Sequence, residues 1–176
     1  IVKRLSSVET LGCTSVICTD KTGTLTQNEM TVRELWVSGR TYVVTGAGYT
    51  PEGEINTEAQ QGGTYPKREQ DDLSTFLAAA ARCNNARLLA PTEAALLVAA
   101  VKGGVDLSQT AADWPLVREL PFESQRKRMS TIHSAAGTVD GNADGQIAFV
   151  KGAPKEVLAL SSYLRLDGED VLLDET

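Results

Sequence analysis

The sequence predicts an α+β fold: a largely antiparallel sheet flanked by helices, preceded by a severed first strand belonging to a separate α/β domain. Three observations predict it. The elements run in the order strand pair, helix pair, then at least three strands, which is a layered arrangement and not a βαβ alternation. A stretch with five Gly and two Pro, residues 46–70, separates the strand pair from the helices. A short β-favouring run near the start stops at one aspartate and gives way to a loop dense in hydroxyls.

Taken in order, Ser15-Val16-Ile17-Cys18-Thr19 is that first run, read as a buried strand. Thr31–Val37 and Thr41–Thr45 are β-rich and flank Ser38-Gly39-Arg40, a hairpin signature. Asp71–Ala86 has helical spacing, with Leu73, Phe76, Leu77 and Ala80 on one face. A second helix starts at Pro91 and runs to about Val101, apolar at Ala94, Leu97, Val98 and Val101. Leu116–Leu120, Arg128–Ser134 and Gln146–Val150 read as strands. Gly152-Ala153-Pro154 then leads into a short helix over Lys155–Leu160. Asp140, Asn142, Asp144 and Gly145 imitate the opening of a calcium-binding loop, but the twelfth position is Lys151, where a bidentate Glu is needed, so the segment reads as a hairpin loop.

Composition narrows the functional classes. Of 176 residues 41% are apolar, enough for a core, and 17 Lys and Arg against 23 Asp and Glu give a net charge of −6. That balance argues against nucleic acid as a partner and leaves any phosphate ligand to a few local cations. Cys13, Cys18 and Cys83 form no Cys-x-x-Cys pair, and His133 is the one histidine, so disulfide, zinc and His-triad chemistry are all disfavoured. No apolar run approaches the ~20 residues that cross a bilayer, and the chain reads as soluble. It starts at Ile1-Val2-Lys3 and closes on Leu173-Asp174-Glu175-Thr176, and both ends read as cuts within a longer protein.

The chemistry gathers in four segments. Asp20 follows a strand and precedes Lys21, Thr22, Gly23 and Thr24. A carboxylate there can attack a phosphoryl group, with Lys21 and Mg²⁺ neutralising charge and Thr22, Gly23 and Thr24 donating to the transferred oxygens. The plainer reading of Asp-Lys-Thr alone is a polar turn capped by Asp20. Pro121-Phe122-Glu123-Ser124-Gln125-Arg126-Lys127-Arg128 offers an aromatic face for a base and cations for phosphates, or else a strand with a solvated basic face. Lys151-Gly152-Ala153-Pro154 sets a cation at a strand end beside a glycine that permits close backbone approach. Pro91-Thr92-Glu93 places a carboxylate in a first helical turn, where the helix dipole alone accounts for it.

The heptad Asp20-Lys21-Thr22-Gly23-Thr24-Leu25-Thr26 resembles, at every position, the signature of P-type ATPases of the haloacid dehalogenase superfamily. The other segments resemble the type II cation-transporting branch, in the same order. The resemblance implies that Asp20 is the phosphorylated nucleophile, with Lys21 and Thr22 beside it and with Asp20 and Thr22 contributing to an incomplete Mg²⁺ site. Thr22 stands where soluble phosphatases of the superfamily carry a second Asp, which implies a longer-lived phosphoenzyme. It further implies that ATP binds with Phe122 stacking on adenine, Lys127 and Lys151 lining the pocket, Gly152 at its edge, and Glu93 on the adenine amino group. Departures are Ser124, where some relatives carry Arg, and Leu89-Ala90, where they usually carry Gly-Asp; Cys83-Asn84-Asn85-Ala86 also resembles the family.

By the same resemblance, residues 1–30 correspond to a stalk linker and the start of a phosphorylation domain, and 31–176 to a nucleotide-binding domain without its C-terminal part. The implied parent is a membrane pump that hydrolyses ATP through an aspartyl phosphate, with this region cytoplasmic. Calcium is the expected ion, and sodium, potassium and protons stay open. The implied partners are ATP and the rest of the pump: the remaining phosphorylation domain, the actuator and the membrane domains. Thr-Gly-Asp and Gly-Asp-Gly-x-Asn-Asp are absent from the sequence, so this piece alone is expected to bind nucleotide without turnover. Two other readings are a soluble aspartyl phosphotransferase or phosphatase, and a non-catalytic nucleotide-binding module.

Overall fold

The computed structural model describes residues 8–9, 12–57, 67–85, 91–134 and 145–173. Its first sheet is antiparallel, in the order β1 (Glu34–Val37), β2 (Arg40–Val44), β3 (Ile55–Thr57). The β1–β2 connection is the two-residue turn Ser38-Gly39, with φ of 50° and 76°. Two left-handed residues match the twist of the flanking strands, which is why a glycine serves here. Helices α1 (Lys67–Arg82), α2 (Pro91–Lys102) and α3 (Leu107–Asp113) follow. A second antiparallel sheet orders β4 (Leu116–Glu123), β5 (Arg128–Ser134) and β6 (Gln146–Gly152), and α4 (Pro154–Leu158) leads to the hairpin of β7 (Tyr163–Leu166) and β8 (Glu169–Leu172).

The α+β class is as expected, with antiparallel sheets flanked by helices. The main core lies between the first sheet and the helices, where Leu35, Val37, Tyr42, Val44 and Ile55 pack on Leu73, Leu77 and Ala100. Alternation along β1 and β2 puts these residues on one face, as a half-buried sheet requires. The other side of α1 meets the second sheet: Thr131 Oγ1 donates to Arg82 O at 3.0 Å, and the Cys83 thiol lies 3.8 Å from Met129 O. One helix therefore serves two sheets.

Several sequence expectations need correction. Ser15–Thr19 forms no strand, and Val16 and Ile17 are 72% and 84% exposed. No described strand pairs with the run, and a lone extended segment has nothing to satisfy its backbone or cover its side chains. The segment 46–70 is not all loop. It contributes β3, whose Ile55 pairs opposite Val44, and the first turn of α1 from Lys67. In α2 the buried residues are Ala95, Ala99 and Ala100, while Ala94, Leu97, Val98 and Val101 are half-buried; small side chains let this helix lie close to α1. Phe76 is partly exposed, not core. The Asp140–Asp144 stretch, and Ala86, fall outside the described residues.

Two hairpins are fastened to α1 by one carboxylate. Asp72, 3% exposed, accepts from Ser38 Oγ (2.7 Å) and Gly168 N (3.1 Å) on Oδ2, and from Arg165 Nε (3.0 Å) on Oδ1. Arg40 adds ion pairs to Asp167 at 2.6 Å and Glu69 at 3.2 Å. Burial by itself raises the Asp72 pKa, but the hydrogen bonds from Ser38, Gly168 and Arg165 outweigh it and hold the carboxyl below its ordinary value. A depressed folded-state pKa means stability that is present above the unfolded pKa of about 3.9 and is lost as pH falls through the folded value. Asp72→Ala is expected to cost about 1–3 kcal/mol at pH 7, since it removes the buried acceptor shared by Ser38, Gly168 and Arg165. In urea melts the gap to wild type should narrow below about pH 4; a gap that is flat with pH would show that the charge contributes nothing.

Candidate functional site

The site residues are positioned by the second sheet and the start of α2. In the β5–β6 register Met129 faces Lys151 and Arg128 faces Gly152, and Lys151, like Phe149 and Ile147, lies on the inner, half-buried side of β6. Pro91 at the first position of α2 sets Glu93 in the first turn. The two elements meet in an ion pair, Lys151 Nζ to Glu93 Oε1 at 2.9 Å, with side chains 26% and 15% exposed. The Lys151 ammonium is buried and makes no hydrogen bond of its own, so Glu93 balances its charge without saturating its donors. Glu93 is steadied by its neighbours: Asn85 N donates to Oε2 at 3.2 Å and Asn84 Nδ2 to its backbone O at 2.9 Å. Burial pushes the adjacent Cys83 thiol up, with Lys151 opposing, so a neutral thiol backs the pair.

The β4–β5 turn carries the remaining residues. Lys127 is left-handed, φ 52°, and its N–H donates to Glu123 O at 2.7 Å. Arg126 locks the turn through Glu123 Oε2 (2.8 Å) and Pro121 O (2.9 Å). The turn is then pressed onto the end of β6. Ala153 N donates to Lys127 O at 2.9 Å, and a Cβ on Gly152 would lie 2.4 Å from that oxygen and 2.6 Å from Arg128 Cβ. Gly152 is thus dictated by backbone approach. Lys127 Nζ reaches Glu156 Oε1 at 3.3 Å on the surface, a contact worth little by itself. Phe122 is 64% exposed and presents an uncovered ring beside this turn.

Of the residues selected from sequence, Glu93, Lys127, Lys151 and Gly152 form one connected patch, with Phe122 at its rim. Asp20, Lys21 and Thr22 lie apart. They are exposed in a turn where Asp20 Oδ1 accepts from Lys21 N at 2.7 Å and Leu25 N donates to Lys21 O at 3.0 Å. Among the described residues no hydrogen bond or ion pair joins them to the patch. The sequence reading missed the part played by Asn84 and Asn85 in holding Glu93, and Glu156 as partner of Lys127. The two asparagines were visible only as part of the Cys83–Ala86 resemblance, and a surface Glu carries no sequence signal.

A family model for the P-type ATPase cytoplasmic domain N matches residues 86–176. The chain belongs to this family. A calcium-transporting ATPase of Bacillus subtilis is 38% identical over 98% of the chain and 19% of its own length. A cation-transporting ATPase of Synechocystis is 36% identical over 99% of the chain and 20% of its own length. Calcium-transporting ATPase type 2C member 1 of Bos taurus is 36% identical over 99% of the chain and 18% of its own length. The chain thus spans about a fifth of the length of these relatives. No helix among the described residues is long and apolar enough to cross a membrane.

The Gly152 contact makes a direct test of the patch. Gly152→Ala should destabilise the chain by about 1–3 kcal/mol through forced overpacking against backbone, read from the urea midpoint. Amide shifts of Lys127 and Ala153 should move with it; unchanged shifts at both positions would mean that the turn does not rest on Gly152.

Proposed function

We propose that this chain is the ATP-binding portion of a membrane cation pump, with residues 1–30 belonging to the stalk linker and the start of the phosphorylation domain and 31–176 to the nucleotide-binding domain. The observation that carries the reading is the patch at the end of β6: a buried ion pair with spare hydrogen-bonding capacity, beside an exposed aromatic ring, on a chain of the cytoplasmic N-domain family. Adenine presents an amino donor and ring acceptors. Glu93 is suited to accept from the first, Lys151 to donate to the second, and Phe122 to stack on the face. Lys127 would line the same pocket, with Gly152 at its edge, where the β4–β5 turn packs against it.

Asp20 is the proposed nucleophile. Its carboxylate oxygen bonds to the γ-phosphorus while the bond to the departing diphosphate oxygen breaks, releasing ADP and leaving an aspartyl phosphate. Lys21 offsets phosphate charge, and the exposed turn gives access from solvent. Asp20 and Thr22 supply hard oxygen donors of the kind Mg²⁺ takes, and the ion when bound would neutralise phosphate charge. Asp20 and the nucleotide patch are not in contact here, so transfer requires the closure of one part on the other. The names of the Bacillus and bovine relatives favour calcium as the ion, and the family's description favours the cytoplasmic side of the membrane.

Calorimetry should find ATP binding on the order of 0.1–few mM, about −4 to −5 kcal/mol, for the chain as it stands. Phe122→Ala should weaken it by about 1–3 kcal/mol, and unchanged affinity would remove Phe122 from the pocket. With γ-labelled ATP and an acid quench, the chain should retain no label. The full-length parent should retain it, and its Asp20→Asn variant should not.

A further inference from the structure

A concavity lies beside the second sheet, and none of Phe122, Lys127, Lys151 or Glu93 lines it. It has a volume of about 320 Å³ and sits between the end of α1, α2, α3 and the edge of the second sheet, walled by Ala81, Leu97, Leu107, Trp114, His133 and Arg82. That volume is at the small end of ligand pockets, and the wall is mostly carbon by area, with polar side chains at Arg82, Asn84, Asn85, Thr110 and His133, a make-up compatible with a small-molecule site.

Arg82 gives the cavity its chemical character. It is the one fixed charge among the described residues that line it. Its guanidinium lies 5.0 Å from the Trp114 ring centre and 5.4 Å from that of Phe149, so two aromatic faces share its positive charge. Its Nε is buried without a hydrogen-bond partner, and no carboxylate of the described residues makes an ion pair with it. Asp113, whose charge acts on Arg82 without an ion-pair contact, accepts from Gln109 Nε2 at 2.7 Å and lines a neighbouring concavity that Arg82 also borders, and Glu119 accepts from Asn85 Nδ2. His133 cannot serve a ligand as donor, because Nδ1 faces Trp114 O at 2.8 Å and Nε2 faces Arg82 O at 3.2 Å. A partly desolvated guanidinium with one unmatched buried N–H, beside an apolar cavity, selects an anion with an apolar body.

We propose that this cavity binds a small organic monocarboxylate with an aromatic or aliphatic body, its carboxylate on Arg82 and its body against Leu97, Leu107 and Trp114. The site is separate from the nucleotide patch, although Asn84 and Asn85, which steady Glu93, also form part of its wall.

The test is an NMR titration of the ¹⁵N-labelled chain with 3-phenylpropionate and, in parallel, with its neutral amide. Saturable shifts of the Arg82 Nε–H and the Trp114 indole N–H are expected, with the acid binding at least tenfold tighter than the amide. Arg82→Met should abolish that preference. Ala111→Phe, which fills the cavity from an exposed rim position on α3, should block both compounds and leave the remaining spectrum folded. Should Arg82→Met fail to fold, the acid-over-amide ratio and Ala111→Phe still decide. No saturable shift at millimolar acid, equal affinity for the amide, or shifts centred on Phe122 and Lys127 would each overturn the proposal.

Discussion

The architecture depends on one buried carboxylate. Asp72 sits in the middle of α1 and draws together the turn of the first hairpin and the turn of the last. Each contact is modest alone, and a buried charge is costly unless every lone pair is used. Here Ser38, Gly168 and Arg165 use them, so the arrangement is stable only when both hairpins are docked. The helix so fixed is also the one whose far side carries Arg82 and Cys83 onto the second sheet. The position of β6, and hence of Lys151 and Gly152, is therefore set against a helix that the first sheet holds.

The patch at the end of β6 shows how a charged pair is held in place by its surroundings. Glu93 balances the charge of the buried Lys151 ammonium, which is already out of water. A ligand that matches both groups trades a partner for a partner, whereas one that matches a single group leaves the other unpaired, and that asymmetry is a source of selectivity. The backbone clamp at Lys127 and Gly152 fixes the loop beside the ring of Phe122, which reduces the ordering that binding must accomplish. The turn at Asp20 has no such support among the described residues and is shaped by its own short-range hydrogen bonds.

Much of this was legible in the sequence, because periodicity and turn chemistry report directly on local structure. Ser38-Gly39 marked a hairpin, Arg128–Ser134 coincided with β5, and Pro91 began α2. The residues expected to hold nucleotide were chosen through resemblance, and four of them, Glu93, Lys127, Lys151 and Gly152, are linked by contacts. What was lost has identifiable causes. Asp106 caps α3 by accepting from Ser108 N and Gln109 N, but the helix has seven residues and buries none, so it left no apolar period. Asp167-Gly168 is a strong hairpin signal, with φ of 51° and 82°, that the reading did not extend far enough to use. Ser15–Thr19 failed in the opposite sense: its composition favours a strand, but strand formation needs a neighbour that composition cannot supply.

The Asp72 clasp also has a consequence for the order in which the molecule assembles. Ser38 Oγ and Arg165 O, 3.1 Å apart, are separated by 127 residues of chain, and Asp72 and Gly168 by 96. The entropy of closing so long a loop is lost before the contacts repay it, so elements joined in this way are late arrivals in folding. The β1–β2 hairpin and α1 can form from near neighbours, whereas β7–β8 must wait for a surface already built. What docks last against exposed, thinly packed strands is also what opens first. Tyr163, Val171 and Leu172 are largely solvent-facing, so undocking of this hairpin uncovers little apolar surface. The terminal hairpin thus behaves as a latch, its hold set mainly by the electrostatics of one aspartate and only weakly by hydrophobic area.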